Sequence, residues 1–213
     1  MQVEIWSDVV CPWCYLGKRR FERALAGFAH RDEVEVVYRS FELDPNAPRG
    51  VTVPAVEMLA GKYGMTPAQA EQAHREMEQR AVGDGLEFHM DALHSGNTRD
   101  AHRLLHLAKE SGRQGELVEA LHRAHFTERR SVFDPAELAT VAVGTGLDSD
   151  RVAEVLAGAE FADAVEQDEA TARSLGATGV PFFVLDRRYG VSGAQPADVL
   201  RSALEQAWAD RAA

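Results

Sequence analysis

Cys11 and Cys14 are the only cysteines in a chain of 213 residues, and both stand in the run Cys11-Pro12-Trp13-Cys14. A pair at this spacing can exchange disulfides or hold a metal, and the surroundings of the sulfurs decide which. If Cys11 caps a helix whose first residue is Pro12, Cys14 is its third residue and the first-turn N–H groups converge on the Cys11 sulfur. A helix N-terminus carries roughly half a positive charge and favours an anion, so Cys11 is placed to react as a thiolate. Cys14 shares a helical face with Phe21 and Leu25, which makes it the more shielded sulfur. An exposed thiolate that attacks, beside a shielded neighbour that resolves the mixed disulfide, is the asymmetry that exchange needs.

Other readings stand beside this one. Two cysteines can be small core residues. Zinc is a stronger rival, because His102 and His106 are four apart and His122 and His125 three apart. The histidines lie about ninety residues from the dithiol, far beyond zinc-finger spacing, and a proline and tryptophan between the cysteines suit a helix cap better than a zinc knuckle. No metal is expected. Pro181, between Val180 and an aromatic run, reads either as an edge-strand proline or as a cis-proline in a tight turn. His30, His74, His89 and His94 form no constellation and read as surface residues.

The elements around these residues follow from periodicity. Val3 and Ile5 alternate with Gln2 and Glu4 in a first strand ending near Ser7. Apolar spacing predicts a helix from about Pro12 to Phe28, and Val34 to Tyr38 predict a second strand, parallel to the first. From Asp44 to Gly158 the pattern is helical throughout with no strand. Helices are expected over 56–63, 67–81, 99–110, 116–127, 135–145 and 149–156. A helix over 161–175, a buried strand from Gly179 to Leu185, a turn at Asp186-Arg187-Arg188, a strand from Tyr189 to Ser192 and a helix over 197–209 complete the chain.

Composition removes several classes. Hydrophobic residues at 45% and charged residues at 27% are globular values, and two cysteines make no disulfide scaffold. A formal net charge of −11 argues against a nucleic-acid partner. No apolar run reaches the length of a membrane span, and the start lacks the pattern of a secretory signal, so a cytoplasmic location is expected.

The stretch from Asp8 to Lys18, together with Gly179-Val180-Pro181, resembles the thioredoxin-like oxidoreductases of the DsbA superfamily. The blocks Gly85-Leu86-Glu87-Phe88 and Asn97 to Leu104 are similar to the inserted helical lobe of its FrnE-type subgroup, cytoplasmic proteins named from polyketide biosynthesis clusters. The resemblance implies a thioredoxin fold, Pro181 in cis, and a Val180-Pro181 loop beside the Cys11 sulfur that pairs with a bound peptide. Strong oxidants of the superfamily carry histidine where this chain has Trp13, so a milder oxidant, an isomerase or a reductase is expected. Trp13 then contacts substrate at a groove rim or packs on the helical lobe. His102 assists proton transfer at the dithiol or is a surface or capping histidine.

The fold class expected is α/β, thioredoxin-like with a large all-helical insertion: residues 1–43 and 159–213 form the thioredoxin-like domain and 44–158 the lobe. The function expected is thiol-disulfide exchange or disulfide isomerisation by Cys11 and Cys14, with Pro12, Trp13, Val180, Pro181 and His102 meeting substrate. No cofactor is required beyond the dithiol; glutathione is a candidate co-substrate. The partners are protein or peptide thiols and disulfides, or a small polyketide-pathway substrate. A glutathione-dependent isomerase or transferase of the 2-hydroxychromene-2-carboxylate isomerase or kappa-class type is the alternative enzyme, although such enzymes carry serine at the helix start. A metal-binding or structural adaptor on the same fold is the alternative from another class.

Overall fold

The computed structural model describes Met1–Arg211. In chain order the elements are β1 (Gln2–Ser7), α1 (Pro12–Ala26), β2 (Glu35–Ser40), β3 (Thr52–Pro54), α2 (Ala55–Tyr63), α3 (Pro67–Gly83), β4 (His94–Gly96) and α4 (Arg99–Glu110). They continue with α5 (Gln114–Phe126), α6 (Pro135–Gly144), α7 (Ser149–Ala157), α8 (Ala162–Ser174), β5 (Phe182–Leu185), β6 (Tyr189–Ser192) and α9 (Ala197–Ala209). The class is mixed α/β, a thioredoxin-like fold carrying a helical insertion. Helix starts follow local chemistry: Pro12, Pro67 and Pro135 occupy first turns, where a missing N–H costs nothing. Thr66 and Gln69 form a reciprocal capping box, and Asp134 and Asp148 accept N–H groups of the turns they cap.

The chain divides into two compact units, Met1–Leu43 with the stretch from Ala164 on, and Asp44–Asp163. In the first unit the sheet order is β2-β1-β5-β6; β1 and β2 are parallel, while β5 runs antiparallel to both β1 and β6. Because side chains alternate along a strand, β1 presents Val3 and Ile5 to one face and Glu4 and Trp6 to the other. On the Ile5 face Phe183 lies opposite Ile5, and Phe21 of α1 stacks on it at 5.6 Å. On the Trp6 face Trp6, Phe182 and Val184 pack with Ala172 of α8, and the indole Nε1 donates to the Asp168 carbonyl at 2.8 Å.

Glu4 is buried on that second face. Its carboxylate accepts from Arg39 at 2.6 Å and from Arg187 at 2.9 Å, and Arg39 also reaches Asp168 at 3.2 Å. Burial alone raises a carboxyl's pKa, but the hydrogen bonds and charges of Arg187 and Arg39 outweigh it and hold Glu4 below the ordinary value.

In the second unit three findings depart from the sequence reading. A two-stranded hairpin, β3 paired antiparallel with β4, lies inside the stretch read as purely helical. Each strand is three residues long and β3 is exposed throughout, too short for alternation to register. His74 is buried rather than superficial, on the face of α3 that also buries Ala70, Met77 and Ala81. The helical unit runs to Asp163 instead of stopping at Gly158. The buried guanidinium of Arg103 explains the difference, donating to the Glu160 and Gly158 carbonyls at 2.7 and 2.9 Å, and to that of Val155, so this segment is tied to α4.

Candidate active site

Strand β1 delivers Ser7 and Asp8 to a tight turn in which the Cys11 N–H donates to the Asp8 carbonyl at 3.2 Å. Cys11 then takes the N-cap position of α1 with extended backbone, and Pro12 is the first helical residue. The Cys14 N–H meets the Cys11 carbonyl at 2.9 Å, closing the first turn. Both cysteines are free thiols.

The two sulfurs are unequal. Burial is the main force raising the Cys14 pKa well above an ordinary thiol's, and the hydrogen bond and charge of Cys11 add to it. The Ser7 side chain and the Asp8 backbone pull in the opposite direction without matching it. Cys14 is therefore held as the protonated partner. Cys11 is not the open thiol expected from sequence, with only 4% of its surface exposed. Part of the cover is the Val180 carbonyl, 3.7 Å from the Cys11 sulfur.

That carbonyl belongs to a cis Val180–Pro181 peptide, and Pro181 is buried. The Pro181 carbonyl accepts from the Gly193 N–H at 2.8 Å, which ties the loop to the end of β6. Helix α1 closes on the proline at Gly17, where a β-carbon would come within 2.7 Å of Pro181 Cγ. Arg20, one turn later, donates to the Ala194 carbonyl at 2.6 Å and fastens the same helix to the same loop region.

The structure brings Cys11, Cys14, Val180 and Pro181 together on one unit, with Pro12 half-buried and Trp13 exposed beside them. His102 lies on α4 of the helical unit, in a buried first turn with Ala101, Arg103 and Leu104, and offers no surface to a substrate there. Sequence reading passed over Ser7 and Asp8 as functional residues, and over Gly17 as a spacing device. Gly17 did carry a signal, since glycine in a helix interior costs about 1 kcal/mol relative to alanine and needs a packing reason. Ser7 and Asp8 carried none, because their relation to Cys14 exists only once the turn is folded.

Among the described residues no group of three or more His, Cys, Asp and Glu is arranged to hold a metal ion, and no helix is long and apolar enough to cross a membrane. The sequence pattern of the family described as DSBA-like thioredoxin domain matches residues 2–205, and the chain belongs to that family. A solved structure of a probable DsbA oxidoreductase from Streptomyces coelicolor is 55% identical, with a TM-score of 0.94 over 98% of this chain and 90% of that one. A 2-hydroxychromene-2-carboxylate isomerase has the same fold at 15% identity, with a TM-score of 0.71 over 100% of this chain and 98% of that one. So does the cytosolic disulfide reductase DsbM of Pseudomonas aeruginosa, solved with GSH, at 18% identity and a TM-score of 0.64 over 97% of this chain and 98% of that one.

Proposed function

We propose that this member of the DsbA-like family is a thiol-disulfide oxidoreductase or isomerase acting on protein or peptide disulfides through Cys11 and Cys14. The observation that carries the reading is the unequal pair: Cys11 at the cap of α1 under the Val180 carbonyl, and Cys14 behind it, held as a thiol. The Cys11 thiolate attacks one sulfur of the substrate disulfide, forming a mixed disulfide and releasing the other substrate sulfur as a thiolate that takes up a proton. Cys14 then loses its proton and attacks the Cys11 sulfur. The Cys11–Cys14 disulfide forms, the second substrate thiol leaves, and two electrons have passed from the dithiol to the substrate. Run backwards, the same steps oxidise a substrate dithiol; where another thiolate of the substrate attacks the mixed disulfide before Cys14 does, a new substrate disulfide forms, the Cys11 thiolate leaves and the disulfides are shuffled without net transfer of electrons.

Trp13 contributes no charge to the cap, unlike a histidine there, so less stabilisation of the thiolate is available and the pair is a milder oxidant. Its exposed ring offers apolar contact to the residues flanking a substrate disulfide. The cis loop at Val180 and Pro181 lies against the same sulfur and borders the substrate. A cytoplasmic setting with glutathione returning the disulfide to the dithiol fits this poise, and DsbM, a cytosolic reductase solved with GSH, is a precedent on the same fold.

The test is insulin reduction together with trapping. Cys11→Ser abolishes turnover, and Cys14→Ser accumulates a mixed disulfide that dithiothreitol releases. Full activity of Cys11→Ser sinks the reading. The isomerase neighbour motivates the second assay, in which a small aromatic or polyketide-type electrophile is offered with glutathione. Turnover that needs glutathione and survives Cys11→Ser would assign the chain to that chemistry instead.

A further inference from the structure

A cavity of about 250 Å³ opens within the helical unit, and none of its lining residues is assigned above to thiol chemistry. Arg129, Arg130, His94, His125, Phe133 and Leu93 line it, and no described residue of the lining is acidic. Arg129 and Arg130 bring two guanidinium groups to its wall, paired with the carboxylates of Asp91, Glu128 and Glu137, which are not themselves part of the lining. The volume lies just below the common range of ligand pockets and suits a small molecule.

Arg129 supplies a second observation. It follows α5 with φ of +56°, in the left-handed region that a side-chain-bearing residue enters at a cost in free energy and glycine enters freely. Arg129 lies two residues beyond Thr127, the C-cap of α5, and lines the cavity. Its ion pair with Asp91 is long, 3.5 Å, between side chains more than half exposed, and such a contact gives way readily to a ligand. Arg130 is held more firmly, with Glu137 at 2.9 Å. Ser131 also lines the cavity; its hydroxyl oxygen accepts the N–H groups of Phe133 and Asp134, so its own hydrogen is left to donate. The ring of Phe133 stands edge-on to that of His125 at 5.8 Å, and with Leu93 it gives the cavity an apolar side.

We propose that this cavity is a binding site for a small carboxylate with an aromatic or short apolar body. The carboxylate is met by the Arg129 guanidinium and the Ser131 hydroxyl, and the body lies against Phe133 and Leu93.

Calorimetric titration of the full chain with benzoate, with benzamide as the neutral molecule of the same shape, and with inorganic phosphate tests the site. Benzoate binds at least about tenfold tighter than benzamide, the factor a charge-assisted hydrogen bond supplies. Phosphate, lacking the apolar body, binds more weakly than benzoate. Arg129→Gly removes the preference for benzoate while the melting temperature stays level or rises, since glycine relieves the backbone; Arg129→Lys keeps part of the preference. Equal binding of benzoate and benzamide, no binding of benzoate, phosphate binding as tight as benzoate's, or a preference untouched by Arg129→Gly would each overturn the proposal.

Discussion

Gly17 and Pro181 touch so closely that the smallest side chain is excluded between them: a β-carbon on residue 17 would sit 2.7 Å from Pro181 Cγ and 3.4 Å from its Cβ. Neither a helix backbone nor a proline ring can swing aside, so any side chain there separates α1 from the loop that lies on Cys11.

Gly17→Ala should therefore lower stability by about 1–3 kcal/mol, as overpacking does. It should also slow disulfide exchange more than that loss explains at a temperature where the variant stays folded, because the Val180 carbonyl moves from the Cys11 sulfur. Melting curves and insulin reduction measured together decide it. An alanine variant with wild-type turnover would show that the contact does not position the site.

Cys14 should behave as a thiol reluctant to ionise. Burial raises its pKa, and the charge on Cys11 raises it further. In Cys11→Ser the second influence is gone and the first remains, so alkylation of Cys14 by iodoacetamide at pH 8.5 should run at least about tenfold slower than that of an open thiol. Its pH profile should lie above an ordinary thiol's. A profile like free cysteine's contradicts the asymmetry on which the exchange reading rests.

Glu4 is the buried acid of the sheet, and its pKa is held below the ordinary 4.5 by Arg187 and Arg39 against the opposing effect of burial. The stability it contributes is fully present above the unfolded carboxyl's pKa and is lost as pH falls through the lower folded value. Glu4→Gln should cost about 2 kcal/mol at neutral pH, less than a fully orphaned buried charge, because Arg39 keeps Asp168 at 3.2 Å. The variant should also lose part of the acid-side fall in stability below pH 4.5. Urea titrations at several pH values measure both.

Arg103 closes the C-terminal end of α7 and the segment after it by donating to three main-chain carbonyls, and its Nη1 meets Asp100 at 2.8 Å. Lysine has the charge without the planar fork. Arg103→Lys should cost about 3 kcal/mol through buried carbonyls left without donors, and hydrogen exchange should quicken from Val155 to Glu160. Unchanged protection there would remove Arg103 as the reason this segment stays with the helical unit.

The sequence alone determined the chemistry-bearing pair and the elements around it. A cysteine pair at a helix start after a strand needs only local rules: alternation over Val3 and Ile5, three- and four-residue spacing from Cys14 to Phe21 and Leu25, and Pro12 at the first turn. Those rules are written in neighbouring residues, which is why strands β1, β2, β5 and β6 could be read from sequence while the three-residue hairpin β3–β4 could not. Tertiary structure decided what depends on residues far apart in the chain. Residue 17 meets residue 181, so a helix glycine becomes a spacer; Arg103 collects carbonyls some fifty residues away, so the helical unit extends to Asp163. The buried state of His74 and the raised pKa of Cys14 depend on desolvation, which no spacing rule encodes, because it depends on everything packed around a group.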